Sequence, residues 1–296
     1  MRIVFIGTAP FAVPSLRALV ASGHEIALVV TQPDRPGHRL RLTAPPVKVA
    51  ARALSLEIHQ PERIRQPETA ERLRATAADL HVVVAYGQII PATILAIPPR
   101  GTLNVHGSLL PRHRGAAPVA RAILDGDLVT GVTIMVMDEL LDHGPVLSTR
   151  ETGIGPRETA SQLTERLASL GADLLVECLA DLDRLQPREQ DHGAATMAPK
   201  LSRQDGEIDW AMSAEEIDRR VRAFTPWPGV TLPFGEGRIK VISGHPSGGS
   251  GSPGEVLGAD QFGVEVAAGS GAYVLHEVQL PGGRPVPARA LVAGRT

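Results

Sequence analysis

Cysteine is nearly missing from this chain, and long apolar runs are missing altogether. The single Cys178 excludes an internal disulfide framework. It lies in an apolar, helix-like stretch with Leu174, Leu175, Val176 and Leu179, which fits a buried structural thiol. No apolar segment reaches the ~20 residues of a membrane span. The opening Met1-Arg2-Ile3-Val4-Phe5-Ile6-Gly7 lacks the longer apolar region and small-residue cleavage site of a secretory signal. A cytoplasmic protein that does not engage membranes is expected. An excess of one charge is also missing: the net charge is −2, so the chain as a whole has no attraction to nucleic acid. Lysine is scarce, with Lys48, Lys200 and Lys240 the three among 30 basic residues, so anion contacts fall to arginine, the better bidentate ligand. No set of histidine, cysteine and carboxylates has metal-ligand spacing, and no metal is expected. The turn after the first strand candidate, Gly7-Thr8-Ala9-Pro10-Phe11-Ala12-Val13-Pro14, holds one glycine where a dinucleotide fingerprint needs three. That argues against a nicotinamide-dependent dehydrogenase.

What is present is a two-domain composition. The 296 residues exceed one typical domain, and 43% hydrophobic residues can bury a sizeable core. Strand-like runs at 3–6, 26–31, 56–59, 80–85, 102–106 and 131–137 alternate with helix-like segments at 10–22, 46–55, 67–78, 116–125 and 158–183. Such alternation predicts an α/β, Rossmann-like, mostly parallel sheet domain over 1–184. Residues 185–204 are polar, carry Pro187, Gly193 and Pro199, and read as a linker. Residues 205–296 open with a helix at 214–224, capped by Ser213 with Glu216 in capping-box spacing. Short strands near 230–233, 238–242, 254–257, 263–267 and 272–278 then predict a small OB-like β-barrel, with 244–254 as a flexible loop.

The stretch that carries chemistry is Leu103-Asn104-Val105-His106-Gly107-Ser108-Leu109-Leu110-Pro111. Residues two apart on a strand share a side, so Asn104 and His106 stand together at a strand's C-terminal end. An amide can hold a developing oxyanion and an imidazole can move a proton, a pairing suited to acyl transfer. Asp142 follows the next strand candidate through a short acidic loop, where it could orient the imidazole. An isolated Asn-x-His more often closes a turn; the glycine and proline turn behind this one favours the chemical reading. Arg35, Arg39, Arg41 and Lys48 form a basic cluster opposed by Asp34 alone. Arg112, His113 and Arg114 fit an anion contact or a solvated turn equally well. Trp227, between two prolines, reads as a packed anchor, and His24, His59 and His81 as structural.

Several blocks resemble one known family, the 10-formyltetrahydrofolate-dependent formyltransferases, and among these the enzymes that act on methionyl-tRNA. Phe5-Ile6-Gly7-Thr8 with Phe11-Ala12-Val13-Pro14 is similar to the family's opening. Thr31-Gln32-Pro33-Asp34-Arg35-Pro36 with Pro46-Val47-Lys48 resembles its loop at the tRNA acceptor end. Val83-Val84-Ala85-Tyr86-Gly87-Gln88-Ile89-Ile90-Pro91 resembles the wall of its folate pocket. The Asn104–Pro111 block and Leu141-Asp142-His143-Gly144 resemble its catalytic segments. Lys200-Leu201-Ser202-Arg203, Ile208-Asp209-Trp210 and Ala223-Phe224-Thr225-Pro226-Trp227-Pro228-Gly229 resemble its linker and the start of its second domain.

The resemblance implies formyl transfer from 10-formyltetrahydrofolate to the α-amine of methionyl initiator tRNA by direct attack, with no enzyme nucleophile. Asn104 and a protonated His106 would hold the oxyanion, while Asp142 supports His106 and relays the proton. Tyr86, Gly87, Gln88, Ile89, Ile90, Ser108, Leu109, Leu110, Pro111 and Asp138 would line the folate site. Arg35, Arg39, Arg41, Lys48, Lys200 and Arg203 would meet tRNA, and the protein would act as a monomer.

Three departures stand out. His143 follows Asp142 where a small hydroxyl residue is usual, the Arg39 loop is less cationic than the family's, and residues 205–296 hold 8 basic against 11 acidic side chains. An amino sugar or another small amine as acceptor, hydrolysis of the folate, and a non-catalytic tRNA-binding role are the competing readings.

Overall fold

The structure is a computed structural model and describes residues 1–36 and 42–292. Arg39 and Arg41, expected at tRNA, lie outside the described residues. The chain clusters into two compact units. One comprises Met1–Pro118, Val129–Gly153 and Thr164–Pro199; the other comprises Val119–Leu128, Ile154–Leu163 and Lys200–Thr296.

Apolar continuity makes the central strands of the first unit. In β1 (Arg2–Gly7) the side chains of Ile3, Val4, Phe5 and Ile6 are fully buried, as expected of a strand covered on both faces. α1 (Val13–Ala21) returns the chain to β2 (Glu25–Val30). A short ribbon of β3 (Arg35–Pro36) and β4 (Leu42–Thr43) follows, then α2 (Pro46–Ala53) and β5 (Ile58–His59). α3 (Pro67–Ala75), β6 (Leu80–Val84), α4 (Ala92–Leu95) and β7 (Thr102–His106) continue the alternation. After β8 (Arg114–Gly115) and α5 (Pro118–Leu124) come β9 (Val129–Val136), β10 (Val146–Gly153), α6 (Ala160–Ala180) and β11 (Met197–Ala198).

The main sheet runs β10-β9-β7-β6-β1-β2-β5. The five strands from β7 to β5 are parallel, as the α/β alternation predicts. β9 and β10 are antiparallel additions at one edge. The sequence pattern does not reveal β10, because beyond Val146 and Leu147 it is half-exposed and polar. α6 lies close over β7 and β9 through Gly171. A Cβ there would stand 2.9 Å from Val105 and 3.1 Å from Val132, so a small residue sets the approach of this helix. Cys178, on α6, is buried, and burial pushes its thiol up to about 11.

The second unit opens with α7 (Ala214–Ala223), whose Ser213 and Glu216 make the expected reciprocal cap. Its sheet is antiparallel: β12 (Val230–Phe234), β13 (Gly237–Ser247), β14 (Val256–Ala259), β15 (Val264–Ala267), β16 (Ala272–Gln279) and β17 (Pro285–Pro287). They pair in the order β12-β13-β16-β15-β14, with β17 also on β16. Residues 244–247, expected in a loop, instead extend β13 along β16. Gly244 makes room for this pairing, because a Cβ at that position would run into the ring of Tyr273 on β16.

His81 gives the first unit a measurable acid sensitivity. It is fully buried on β6, and neither ring nitrogen has a hydrogen-bond partner among the described residues. Burial pushes its imidazole down to about 4 from 6.5. Between those values the unfolded chain holds a proton that the folded chain excludes, so stability rises with pH through this window and falls as acid is added. At about 1.4 kcal/mol per unit the change is on the order of 3 kcal/mol. Urea unfolding of His81→Val at pH 4.5 and pH 7 should show a shallower pH slope than wild type. An equal slope in both proteins would remove His81 as its source.

Candidate active site

β7 brings Asn104 and His106 to one face, and both side chains are buried. β9 runs antiparallel to β7, so its end at Val136 sits opposite Leu103, at the start of β7 rather than at His106. The loop after β9 must therefore double back along β7 to bring its carboxylate near the imidazole. It does so with Asp142 at a φ of +48°, an uncommon conformation for a non-glycine residue that surrounding bonds must hold. Asp142 Oδ1 lies 3.5 Å from Asn104 Nδ2, and Oδ2 lies 3.6 Å from His106 Nδ1. A shorter bond to the carboxylate comes from the Gly115 backbone N–H, at 2.8 Å from Oδ2. The two side-chain separations are long for formed hydrogen bonds, as is common in catalytic sets before substrate closes them.

The other side of the imidazole is fixed by backbone. His106 Nε2 donates to the His113 carbonyl at 3.0 Å. A carbonyl only accepts, so Nε2 carries a hydrogen and Nδ1 is the nitrogen that faces Asp142. His113 itself has a φ of +59° and is buried, and its N–H donates to Thr196 Oγ1 at 2.8 Å. β8 pairs in parallel with β11. Gly115 is needed at this contact: its φ is +122°, and a Cβ would stand 2.6 Å from the Ala198 carbonyl oxygen.

The sequence pattern does not mark these partners. For Arg112, His113 and Arg114 it leaves an anion contact and a solvated turn open, and the buried His113 and Arg114 are neither. Arg114 Nη2 donates to Gln190 Oε1 at 2.6 Å and to His192 Nδ1 at 2.8 Å. Gln190 and Thr196 sit in the stretch 185–204, where residues 188–198 are tied to the site. Arg188 and Val146 exchange two backbone bonds of 2.8 Å. No periodicity distinguishes this glutamine, arginine and threonine from their polar neighbours, so the sequence offers no signal for them. His143 donates to Asp138 at 2.6 Å, and its ring stacks on His192 with centroids 4.0 Å apart.

The expected folate segments converge without all offering side chains. Tyr86 and Ile90 point into the core with Val4, Ile6, Leu28 and Ile64. Burial pushes the Tyr86 hydroxyl up to about 12. Gln88 is bonded to backbone, accepting from Ile64 N and donating to Glu62 O. Gly87 and Ile89 are exposed, and Ile89 is 87% accessible. Ser108 is fully buried, its hydroxyl donating to the Arg112 carbonyl, while Leu109 and Pro111 are half-buried. Met137 packs against both the Tyr86–Ile90 cluster and the cluster of Leu110, Met135 and Val146. The loops carrying Tyr86–Pro91, Ser108–Pro111 and Asp138 therefore meet around one residue. Leu140 and Leu141, beside Asp142, are exposed apolar side chains.

Of the cationic candidates, Arg35, Lys200 and Arg203 lie at the surface. Lys48 is buried and its ammonium sits 2.7 Å from both Asp34 oxygens. The Gln60 amide and that ammonium hold the Asp34 carboxyl below its ordinary range. Among the described residues no group of three or more histidine, cysteine or acidic side chains could hold a metal, and no helix is long and apolar enough to cross a membrane.

Residues 1–179 match the family model for formyl transferase, and residues 200–296 match that for the formyl transferase C-terminal domain. The methionyl-tRNA formyltransferase of Chromobacterium violaceum is 47% identical over 298 residues, covering 100% of this chain and 97% of that protein. That of Solibacter usitatus is 48% identical over 300 residues, covering 100% and 96%. Among solved structures, HypX from Aquifex aeolicus in complex with tetrahydrofolic acid superposes with a TM-score of 0.66 at 18% identity. The match covers 99% of this chain and 47% of HypX, so the chain spans about half the length of that protein. An N-formyltransferase from Helicobacter canadensis, in complex with folinic acid and dTDP-3-aminofucose, gives 0.68 at 15% identity, covering 92% and 97%. The expected α/β fold with a separate antiparallel domain is the fold seen, and the chain belongs to the formyl transferase family, within the methionyl-tRNA formyltransferases.

Proposed function

We propose that this chain moves the formyl group of 10-formyltetrahydrofolate to the α-amine of methionyl initiator tRNA, using Asn104, His106 and Asp142. The observation that carries the reading is one carboxylate shared between an amide and an imidazole at the end of β7. The amine lone pair attacks the formyl carbon and the carbonyl becomes an oxyanion. Asn104 Nδ2 has two hydrogens; one faces Asp142 and the other serves that oxyanion. A protonated His106 adds charge beside it. The amine loses a proton to the Asp142 carboxylate, and that proton passes to N10 as the carbon–nitrogen bond to folate breaks. No side chain is acylated.

The folate fits the loops that meet at Met137. Exposed Ile89, Leu140 and Leu141 offer apolar contact to a flat pterin, and the exposed backbone at Gly87 offers polar contact to its edge. Radiolabelled formyl transfer tests the acceptor directly, with methionyl-tRNA, an amino-sugar nucleotide and water as parallel acceptors. Label on methionyl-tRNA alone is expected. Preference for the sugar or for water would replace this reading.

Phosphate contacts fall to Arg35, Arg39, Arg41, Lys200 and Arg203, since Lys48 is engaged with Asp34. Arg39→Ala with Arg41→Ala should raise KM for methionyl-tRNA several-fold and flatten its dependence on salt, because fewer phosphates are neutralised. KM for the folate should stay unchanged. Steady-state kinetics at two salt concentrations measure both, and an unaltered salt slope would place tRNA elsewhere.

A further inference from the structure

Asp142 holds a left-handed backbone conformation that aspartate tolerates better than most residues but seldom adopts, and its side chain alone does not explain how it is fixed. The carboxylate accepts from Gly115 N, while the residue's φ of +48° is fixed by bonds to the turn's backbone from outside it. The outside agent is visible. Gln190 Nε2 donates to the Asp142 carbonyl at 3.0 Å and to the Gly144 carbonyl at 2.7 Å. One amide thus pins both ends of the turn that carries the carboxylate.

The orientation of that amide is itself determined. Gln190 Oε1 accepts from Arg114 Nε at 3.2 Å and from Nη2 at 2.6 Å. A guanidinium only donates, so the Gln190 oxygen must face Arg114 and its NH2 must face the two carbonyls. Arg114 and Gln190 are 7% and 6% exposed, so water offers little substitute for any of these bonds. Arg114 also stands between the two backbone groups that touch the catalytic side chains. The carbonyl before it, on His113, accepts from His106, and the N–H after it, on Gly115, donates to Asp142. A closed ring results, formed by the backbone of 114–115, the Asp142 carboxylate, the Asp142 carbonyl, Gln190 and the Arg114 guanidinium, with His106 attached to it through the His113 carbonyl.

We propose that Arg114 and Gln190 are positioning residues for this reaction, which hold the Asp142 turn against the strand carrying His106. The proposal rests on the catalytic reading of Asp142. It gives the segment after α6 a task in the chemistry: it delivers Gln190 to the site. Both residues act through Asp142 rather than on substrate. Their removal acts chiefly on the rate of the bound complex, because the Tyr86–Pro91 and Ser108–Pro111 segments keep their places and only Leu140 and Leu141, next to the turn, can shift.

Two variants of the full-length protein separate the functions of Gln190. Gln190→Met keeps the volume and removes every side-chain hydrogen bond. Gln190→Glu keeps an acceptor for Arg114 but presents an oxygen, in place of an NH2, to two carbonyls. Both should lose kcat by roughly 10²-fold, the scale of a misplacement of about 1 Å, with KM for 10-formyltetrahydrofolate within about threefold of wild type. Arg114→Lys keeps one donor to Gln190 and should fall between. Amide hydrogen exchange followed by NMR gives a readout that needs no substrate. The Gly115 N–H should lose protection in both Gln190 variants. The Arg114 N–H, bonded to the Thr196 carbonyl at 2.8 Å, should keep it. Gln190→Glu leaves Arg114 partnered and so carries the test should Gln190→Met not fold. Wild-type kcat in Gln190→Glu, a loss confined to KM, or an unchanged Gly115 amide would each overturn the proposal. Kinetics are run with whichever acceptor the wild-type protein formylates, so an error in the acceptor assignment and an error about Gln190 give different results.

Discussion

Replacing His106 with alanine should lower kcat by roughly 10²–10³-fold, and replacing Asn104 with alanine should do the same, the usual cost of one oxyanion donor. Both residues stand on β7, which is paired on both sides by β6 and β9, and the backbone ladders that hold the strand do not depend on either side chain. Far-ultraviolet circular dichroism and melting temperature should therefore change little, although each substitution leaves a small cavity. His106→Ala also removes the donor to the His113 carbonyl. His106→Asn serves as a control, since its amide can donate in the same direction while it cannot carry a proton at neutral pH. A loss of similar size in His106→Asn identifies proton handling as the larger part of the effect. Single-turnover formyl transfer at saturating folate measures the chemical step. Activity close to wild type in either alanine variant would remove that residue from the chemistry.

How far the site can be read from the sequence follows from where each contact comes from. Asn104 and His106 are two residues apart on an apolar strand, so their alignment is a local consequence of strand geometry. Asp142 is legible as a carboxylate in a loop after the next strand, and by resemblance. Its approach is not, because the antiparallel direction of β9 sends that loop to the wrong end of β7 and forces it to return. The alternation of strands and helices marks the parallel part of the sheet. It does not mark β10, an exposed edge whose polar side chains look like a loop. Tyr86 and Ile90 share a motif with Gly87 and Ile89, yet the chain leaving β6 turns the first two into the core and the others outward. The Gly115 N–H, the His113 carbonyl and the Gln190 amide come from backbone or from residues far apart in sequence. No residue type or spacing announces a backbone group, and the pairing of β8 with β11 joins Arg114 to the distant Met197.

Asp142→Asn separates the charge of the carboxylate from its place. The substitution is nearly isosteric, and its amide oxygen can still accept the Gly115 N–H. Gln190 acts on the backbone carbonyls of the turn and is untouched by the exchange. The turn should therefore stay where it is. What disappears is the negative charge opposite His106 Nδ1, the oxygen that Asn104 Nδ2 faces, and the ability to take a proton from the attacking amine. Proton transfer by a placed side chain contributes about 10²–10⁴-fold, so kcat should fall by at least ~10²-fold. KM for the folate should change little, because binding rests on loops that the substitution leaves in place. Asp142→Ala, which also loses the Gly115 bond, should be slower still and should release the turn, visible as lost protection of the Gly115 amide. The ordering of wild type, Asp142→Asn and Asp142→Ala in single-turnover rate is the decisive result. Equal rates for the asparagine and alanine variants would mean that the charge alone matters and that the Gly115 bond contributes nothing to the rate. An asparagine variant as fast as wild type would mean that the proton leaves the amine by a route that bypasses Asp142.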